Sequence, residues 1–213
     1  MKITSQEKEQ RKERIIQTAF QLFCEKGIEQ VSLSDVAKQA KVGEASIYRY
    51  FKTKVQLVFY TLDFLWKEIS ATLEEGLEEI ENFDLLTGYE QFKARIGCYK
   101  KLYTNNADYV LFSYEAKLYL RRNHVQLKKE EYDIMMVEMR ERCMAALNKG
   151  KLDGSIPVEK DTEDLFYAIW GSVRGYIVKI VVYDTLFEGG GPWEQRYDVM
   201  EQGILCALKS GWK

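Results

Sequence analysis

The sequence predicts an all-α chain. Only two of its 213 residues are Pro, and nearly half are apolar against a background of Leu, Glu, Lys and Ala. Long segments repeat their apolar residues at three-to-four spacing, and none alternates over a sustained run. This length allows one or two domains with a real core. The longest apolar runs are short and broken by charge, so no segment is expected to span a bilayer. The N-terminus lacks the apolar core of a signal peptide, and a cytoplasmic location is expected.

Residues 1–10 are polar and expected to fray. A first helix follows over Arg11 to Lys26, with Ile15, Ile16, Ala19, Leu22 and Phe23 inward and Gly27 as its stop. Ser32 then caps a short helix, with Asp35 three residues on adding favourable charge at the helix start. Leu33, Val36, Ala37 and Ala40 give that helix one apolar stripe, and Lys41-Val42-Gly43 makes a turn.

A second short helix spans Glu44 to Phe51. At about 100° per residue, Ile47, Tyr50 and Phe51 cluster on one side with the stem of Glu44. Ala45, Ser46, Tyr48 and Arg49 spread over the other side, which is small, hydroxylated, aromatic and cationic. Such a face suits entry into a major groove, since small residues allow close approach and hydroxyls with an Arg reach phosphates and base edges. Thr53 caps the next helix, and Lys54 at its N-terminus adds an ammonium to the partial positive charge of the helix end. Spacing alone leaves an ordinary αα-hairpin with a solvated face as an equal reading.

The remaining chain reads as long helices. Lys54 to about Ile80 carries a stripe of Val55, Val58, Leu62, Leu65, Ile69, Leu73 and Ile80. Leu85–Tyr103, Asp108–Leu120 and His124–Lys149 follow, then a loop at 150–157, a helix from about Glu159 to Leu186, a Gly-Gly-Gly-Pro break at 189–192, and a last helix from Trp193 to about Lys209. In the helix from Glu159, the residues Ala168, Gly171, Gly175, Val178 and Val182 form a smooth strip, opposite Phe166, Trp170, Val173, Ile177 and Ile180. Met200, Gly203, Ile204 and Ala207 repeat the pattern on the last helix. A helix apolar on both faces must be covered on both, either inside a large monomer or in a four-helix bundle between two subunits.

Charge is uneven along the chain. Residues 1–54 carry eleven Lys and Arg against seven Asp and Glu, a balance of +4, whereas 55–213 carry twenty against twenty-six, a balance of −6. A basic head on an acidic body fits a chain that meets DNA at one end. The four cysteines are scattered without CxxC spacing, so buried thiols are expected and no metal site. The single His124 has no placed partner, and no phosphate loop or nucleophile elbow occurs, so an enzyme is not expected and no cofactor is implied.

Gly27, Ser32, Asp35-Val36-Ala37, Ala40, Val42, Ile47-Tyr48-Arg49-Tyr50-Phe51 and Lys54-Val55-Gln56-Leu57 resemble the N-terminal DNA-binding domain of the TetR (tetracycline repressor) family. Three positions depart from the family pattern. Lys41 stands where a turn Gly is usual, Gly43 where a Ser or Thr caps the second helix, and Ala45-Ser46 where Gly-Thr is usual. The resemblance implies a helix-turn-helix head over 1–54 and a helical effector-binding and dimerisation body over 55–213. It implies a homodimer paired through the last two long helices, a palindromic operator, and repression released by a small, largely apolar effector. DNA contacts are expected from Ser32, Lys41, Glu44, Ala45, Ser46, Tyr48, Arg49, Tyr50 and Lys54. The aromatic-rich body suggests an effector cavity lined by Tyr99, Tyr103, Phe112, Met135, Met139, Phe166 and Trp170, with plain core packing as the alternative. A body that docks a partner protein instead of a small molecule is the competing function.

Overall fold

The structure is a computed structural model that describes residues 4–125, 137–186 and 193–211, with backbone alone at Tyr103, Thr104, Val137, Glu138, 183–186 and Trp193. Among the described residues there are nine α-helices and no strand. They are α1 (Ser5–Lys26), α2 (Leu33–Gln39), α3 (Glu44–Tyr50), α4 (Lys54–Glu78), α5 (Gly88–Asn105), α6 (Ala107–Arg122), α7 (Val137–Asp153), α8 (Thr162–Leu186) and α9 (Trp193–Ser210). The chain divides into two compact units, one of residues 1–67 with 111–130 and one of residues 68–110 with 131–213.

Of residues 1–10, expected to fray, the first three lie outside the described residues, and the rest are a capped helix start. Thr4 accepts the Glu7 N–H at 3.2 Å, and the Glu7 carboxylate accepts the Thr4 N–H at 2.8 Å. This reciprocal cap satisfies two end groups and lets α1 start at Ser5. Ile15, Ile16, Ala19, Leu22 and Phe23 are buried as expected, and Gly27 ends the helix at a φ of 79°. Phe112 of α6 completes this core, edge-on to Phe20 at 5.2 Å and stacked on Phe23 at 5.9 Å. Beside it, Glu115 accepts the Ile28 N–H at 2.7 Å, a donor left over just past the end of α1. His124 is exposed and follows the end of α6 in the left-handed region, and the start of the helix expected over His124–Lys149 lies largely outside the described residues.

Ser32 and Asp35 form the predicted cap of α2, extended to a reciprocal pair in which Asp35 accepts the Ser32 N–H at 2.8 Å. Lys41 follows the C-cap of α2 with a φ of 54°, and the Val42 N–H reaches the Ala37 carbonyl at 3.0 Å. The left-handed conformation that a Gly adopts freely is thus imposed on a residue with a Cβ, at a cost of about 1 kcal/mol. Lys41→Gly is therefore expected to raise stability by about 0.5–1 kcal/mol. Denaturant unfolding checks this, and a midpoint that stays put or falls would contradict it.

In the second unit α5 packs on α7, α7 on α8, and α8 on α9. The start of α5 is held by Thr87, which forms a reciprocal cap with Glu90, and by Asp153, which accepts the Gly88 N–H at 2.8 Å. The loop expected at 150–157 begins later, because α7 continues through Asp153. Gly150 is helical and buried, with Ile156 folded against it so closely that a Cβ there would lie 2.5 Å from Ile156 Cδ1.

Thr162–Val182 is long and apolar enough to cross a membrane, with a mean hydropathy of 1.4. Arg174 and Lys179 are the only charges over 165–182, too few to outweigh its aliphatic and aromatic residues, a composition that a buried core helix shares. Phe166, Trp170, Val173, Ile177 and Ile180 lie buried along it. The cysteines are all free, but only Cys143 is buried, while Cys24 and Cys98 are half-buried and Cys206 is exposed. Helical spacing alone does not say which face of α9 is covered.

Candidate nucleic-acid interface and ligand cleft

The covered face of α3 is narrower than the wheel predicts: Ile47 and Phe51 are fully buried and anchor the helix, but Tyr50, placed with them, is half-exposed and Glu44 is exposed, while Ala45, Tyr48 and Arg49 are exposed and Ser46 half-exposed. Arg49 leans across this open face, with its guanidinium 3.4 Å from Ser46 Oγ and 6.0 Å from the Tyr50 ring centre. The side chain is thereby aligned along the helix, and among the described residues no acidic side chain pairs with it. Gly43 gives α3 an N-cap with no side-chain bond, as its lack of a hydroxyl requires. Ser32 and Lys41 are exposed at the neighbouring helix ends.

Lys54 is placed differently from its neighbours. Its ammonium donates to the Glu29 carbonyl at 3.0 Å and lies 5.5 Å from the Tyr119 ring centre. Partial burial pushes its pKa down, while Glu29, Glu115 and Asp35 pull it back up. The group therefore braces the turn between α1 and α2 as well as carrying charge at the start of α4. Thr53 accepts the Gln56 N–H at 3.2 Å, the cap expected of it.

The second unit contains a narrow cleft whose enclosed space is about 10 Å³, room for about one water, lined by Ser70, Leu73, Glu74 and Leu77 of α4 with Arg95, Tyr99, Met139, Cys143 and Trp170. Of the residues expected around an effector, Tyr99, Met139 and Trp170 meet here, and the Tyr99 and Trp170 rings lie 4.1 Å apart. Phe166 stacks behind Trp170 at 5.9 Å. Phe112 belongs to the first unit, against Phe20 and Phe23. Met135 lies outside the described residues, and only the backbone of Tyr103 is described.

Sequence reasoning missed the polar wall. Glu74 pairs with Arg95 at 3.0 Å and with Arg142, so one carboxylate ties α4 to α5 and α7. Phe83 covers one side of the Arg95 guanidinium at 5.3 Å. A signal existed: Arg95 falls between Phe92 and Tyr99 at stripe spacing, where a charge has to find a partner. Cys143 adds no reactive group, because burial pushes its thiol up to about 12. Among the described residues no cluster suited to a metal ion occurs.

The strip predicted for subunit contact is open in the single chain. Ala168, Gly171, Gly175 and Gly203 are exposed, and Val178, Val182, Met200, Ile204 and Ala207 are half-exposed. A Cβ built on Gly171, Gly175 or Gly203 would meet nothing within 4 Å.

Residues 15–61 match the model of the bacterial regulatory proteins of the tetR family. The chain is 26% identical to the HTH-type transcriptional repressor KstR2 of Mycolicibacterium smegmatis over 180 residues, 78% of this chain and 79% of that one. It is 24% identical to the HTH-type transcriptional regulator TtgR of Pseudomonas putida over 82% of this chain and 84% of that one. Its fold is similar to that of the transcriptional regulator FadR of Bacillus subtilis, solved in complex with stearoyl-CoA, with a TM-score of 0.66, 21% identity, and coverage of 94% of this chain and 98% of that one.

Proposed function

As this chain belongs to the TetR family of bacterial regulatory proteins, we propose that it is a homodimeric repressor, released from a palindromic operator by a small, largely apolar effector bound in the body. The observation that carries the reading is the open face of α3, held outward by the buried Ile47 and Phe51. Two such helices, one from each subunit, enter successive major grooves about one helical turn apart. Ser32, Lys41, Tyr48, Tyr50 and Lys54 contact phosphates and set register, and Glu44, Ala45, Ser46 and Arg49 face base edges. The reading part is residues 1–54 and the effector and pairing part residues 55–213, in the cytoplasm.

The effector acts through α4. Ser70, Leu73, Glu74 and Leu77 of this helix line the cleft, and Lys54 in its first turn holds the Glu29 carbonyl. A ligand that prefers one position of α4 shifts the spacing of the two heads. About 100-fold release needs roughly 2.7 kcal/mol of such preference.

Selection of duplexes from a random pool at about 150 mM salt tests this, since non-specific binding is weak there. Enrichment of a palindrome is the expected result. A folded protein that enriches nothing, with or without ligands, sinks the reading. On the selected site, Arg49→Ala is expected to relax base preference, with a loss of about 1–3 kcal/mol on the best sequence and little on random DNA. Lys41→Ala is expected to weaken all sequences alike and to lower the salt slope by about 1. Equal losses on specific and random DNA for both variants would refute this division of labour.

A further inference from the structure

One face of α6 reaches three parts of the reading head. Phe112, Glu115 and Tyr119 recur at three-to-four spacing, so they leave the helix on the same side. Phe112 stacks on Phe23 at 5.9 Å, in the last turn of α1. Glu115, about one turn on, accepts the Ile28 N–H at 2.7 Å, and its carboxylate lies 3.5 Å from where a Cβ on Gly27 would be. Tyr119 follows, with its ring centre 5.5 Å from the Lys54 ammonium, which holds the Glu29 carbonyl at 3.0 Å. Two adjacent residues of the α1–α2 turn are thus gripped from two helices, Ile28 from α6 and Glu29 from α4. Ile28 is fully buried, so its N–H has no water to turn to if the carboxylate is lost.

We propose that Glu115 is a positioning residue for DNA reading: without touching the duplex, its carboxylate fixes the angle at which the α1–α2 turn delivers α2 and α3. The inference rests on the DNA reading above and adds a determinant outside the face that meets the duplex. Apolar contacts such as Phe112 on Phe23 hold the parts together but are non-directional. A hydrogen bond weakens steeply when bent, and a carboxylate on an N–H is charge-assisted, so this contact sets orientation as well as distance. Ser32, four residues beyond Ile28, caps α2, and α2 packs on α3. A tilt at the turn therefore reaches Arg49 and Ser46. Base-edge contacts need fixed geometry, whereas attraction to phosphates falls off gradually with distance. Loss of the Glu115 grip is therefore expected to cost specific binding more than non-specific binding.

The test uses the full chain, the selected operator duplex and a random duplex of the same length. Binding is read by fluorescence anisotropy, with the folded fraction of each variant fixed by thermal unfolding. Glu115→Ala is expected to lower operator affinity about ten-fold and random-duplex affinity by less than about two-fold, with the salt slope unchanged. Glu115→Gln keeps an acceptor oxygen at the same reach and is expected to bring operator affinity back to within about three-fold of the parent. Should Glu115→Ala unfold the head at the assay temperature, Glu115→Asp, which keeps the charge but falls one methylene short of the N–H, is held to the same criterion. Equal losses on the two duplexes overturn the inference, because the residue then serves stability alone. A Gln variant as impaired as the Ala variant overturns it as well, by assigning the effect to charge. So does a salt slope lowered by about 1, the mark of a lost phosphate contact. A parent protein that selects an operator, with variants that keep its selectivity, refutes the inference alone. A parent that selects none removes the DNA reading beneath it and the inference with it.

Discussion

Gly175→Arg is expected to leave each chain folded, to split the dimer, and to reduce operator affinity by 100-fold or more. Gly175 lies exposed in the middle of α8, with nothing within 4 Å of a built Cβ, so the arginine meets no obstacle within its own chain. A helix interior even favours Arg over Gly by about 0.8–1 kcal/mol. In the proposed four-helix bundle the same position is where two backbones approach, and a long cation there has neither room nor partner. Each head then binds a half-site alone. The advantage of a tethered second head, typically 10²–10⁴ in affinity, disappears. Sedimentation and mobility shift on the selected operator check the two halves of the claim together. A dimer that persists with unchanged affinity would show that subunits pair elsewhere.

Gly88→Ala is expected to be among the most destabilising single-methyl changes in the chain. A Cβ at residue 88 would lie 1.9 Å from Gly150 N, 2.4 Å from Gly150 Cα and 2.5 Å from Ala146 O. These are backbone atoms of a helix, and no rotamer change moves them aside. Inserting a methyl into packed surroundings costs about 1–3 kcal/mol, and a backbone-on-backbone clash belongs at or above the top of that range. With a shift of about 2–4 °C per kcal/mol at this size, the melting temperature should fall by roughly 10 °C. Gly97→Ala is the internal control, since it sits inside the same helix with open space around it and should stabilise by about 0.5–1 kcal/mol. Equal melting temperatures for the two variants would contradict the close crossing of α5 and α7.

The contrast between these glycines shows what was legible in the sequence. Helix type followed from apolar periodicity, and the inward residues of α1 and α2 are buried as read, as are Ile47 and Phe51 at α3, whereas Tyr50 is half-exposed. The outward face of α3 was legible for the same reason: Ile47 and Phe51 fix its rotation, and the rest follows from the helical period. The role of Gly88 and Gly150 was not legible, because close approach of two helices depends on a partner far along the chain. Gly150 in particular reads as a loop signal, and it is helical because Ile156 and α5 cover it. The early start of α1 was readable in Thr4 and Glu7, whose spacing matches that of Ser32 and Asp35. The cleft was half legible. Its aromatic residues stood out by composition, whereas Glu74, Arg95 and Arg142 became meaningful only when one carboxylate was seen to serve both cations.

The bond from Glu115 to the Ile28 N–H sets an order of events during synthesis. The two groups are separated by 87 positions, and Phe112 closes the core of Phe20 and Phe23 from the same distant helix. A domain made of one continuous stretch can fold as soon as it leaves the ribosome, N-terminal part first. This head cannot finish that way, because the segment completing its core emerges only after α5 has been made. At about 5–20 residues per second, the helix-turn-helix waits several seconds with an apolar flank uncovered. Excision of residues 1–67 as a free-standing module should therefore yield a loosened head. Swapping heads between relatives should succeed only when the matching stretch of α6 travels with them.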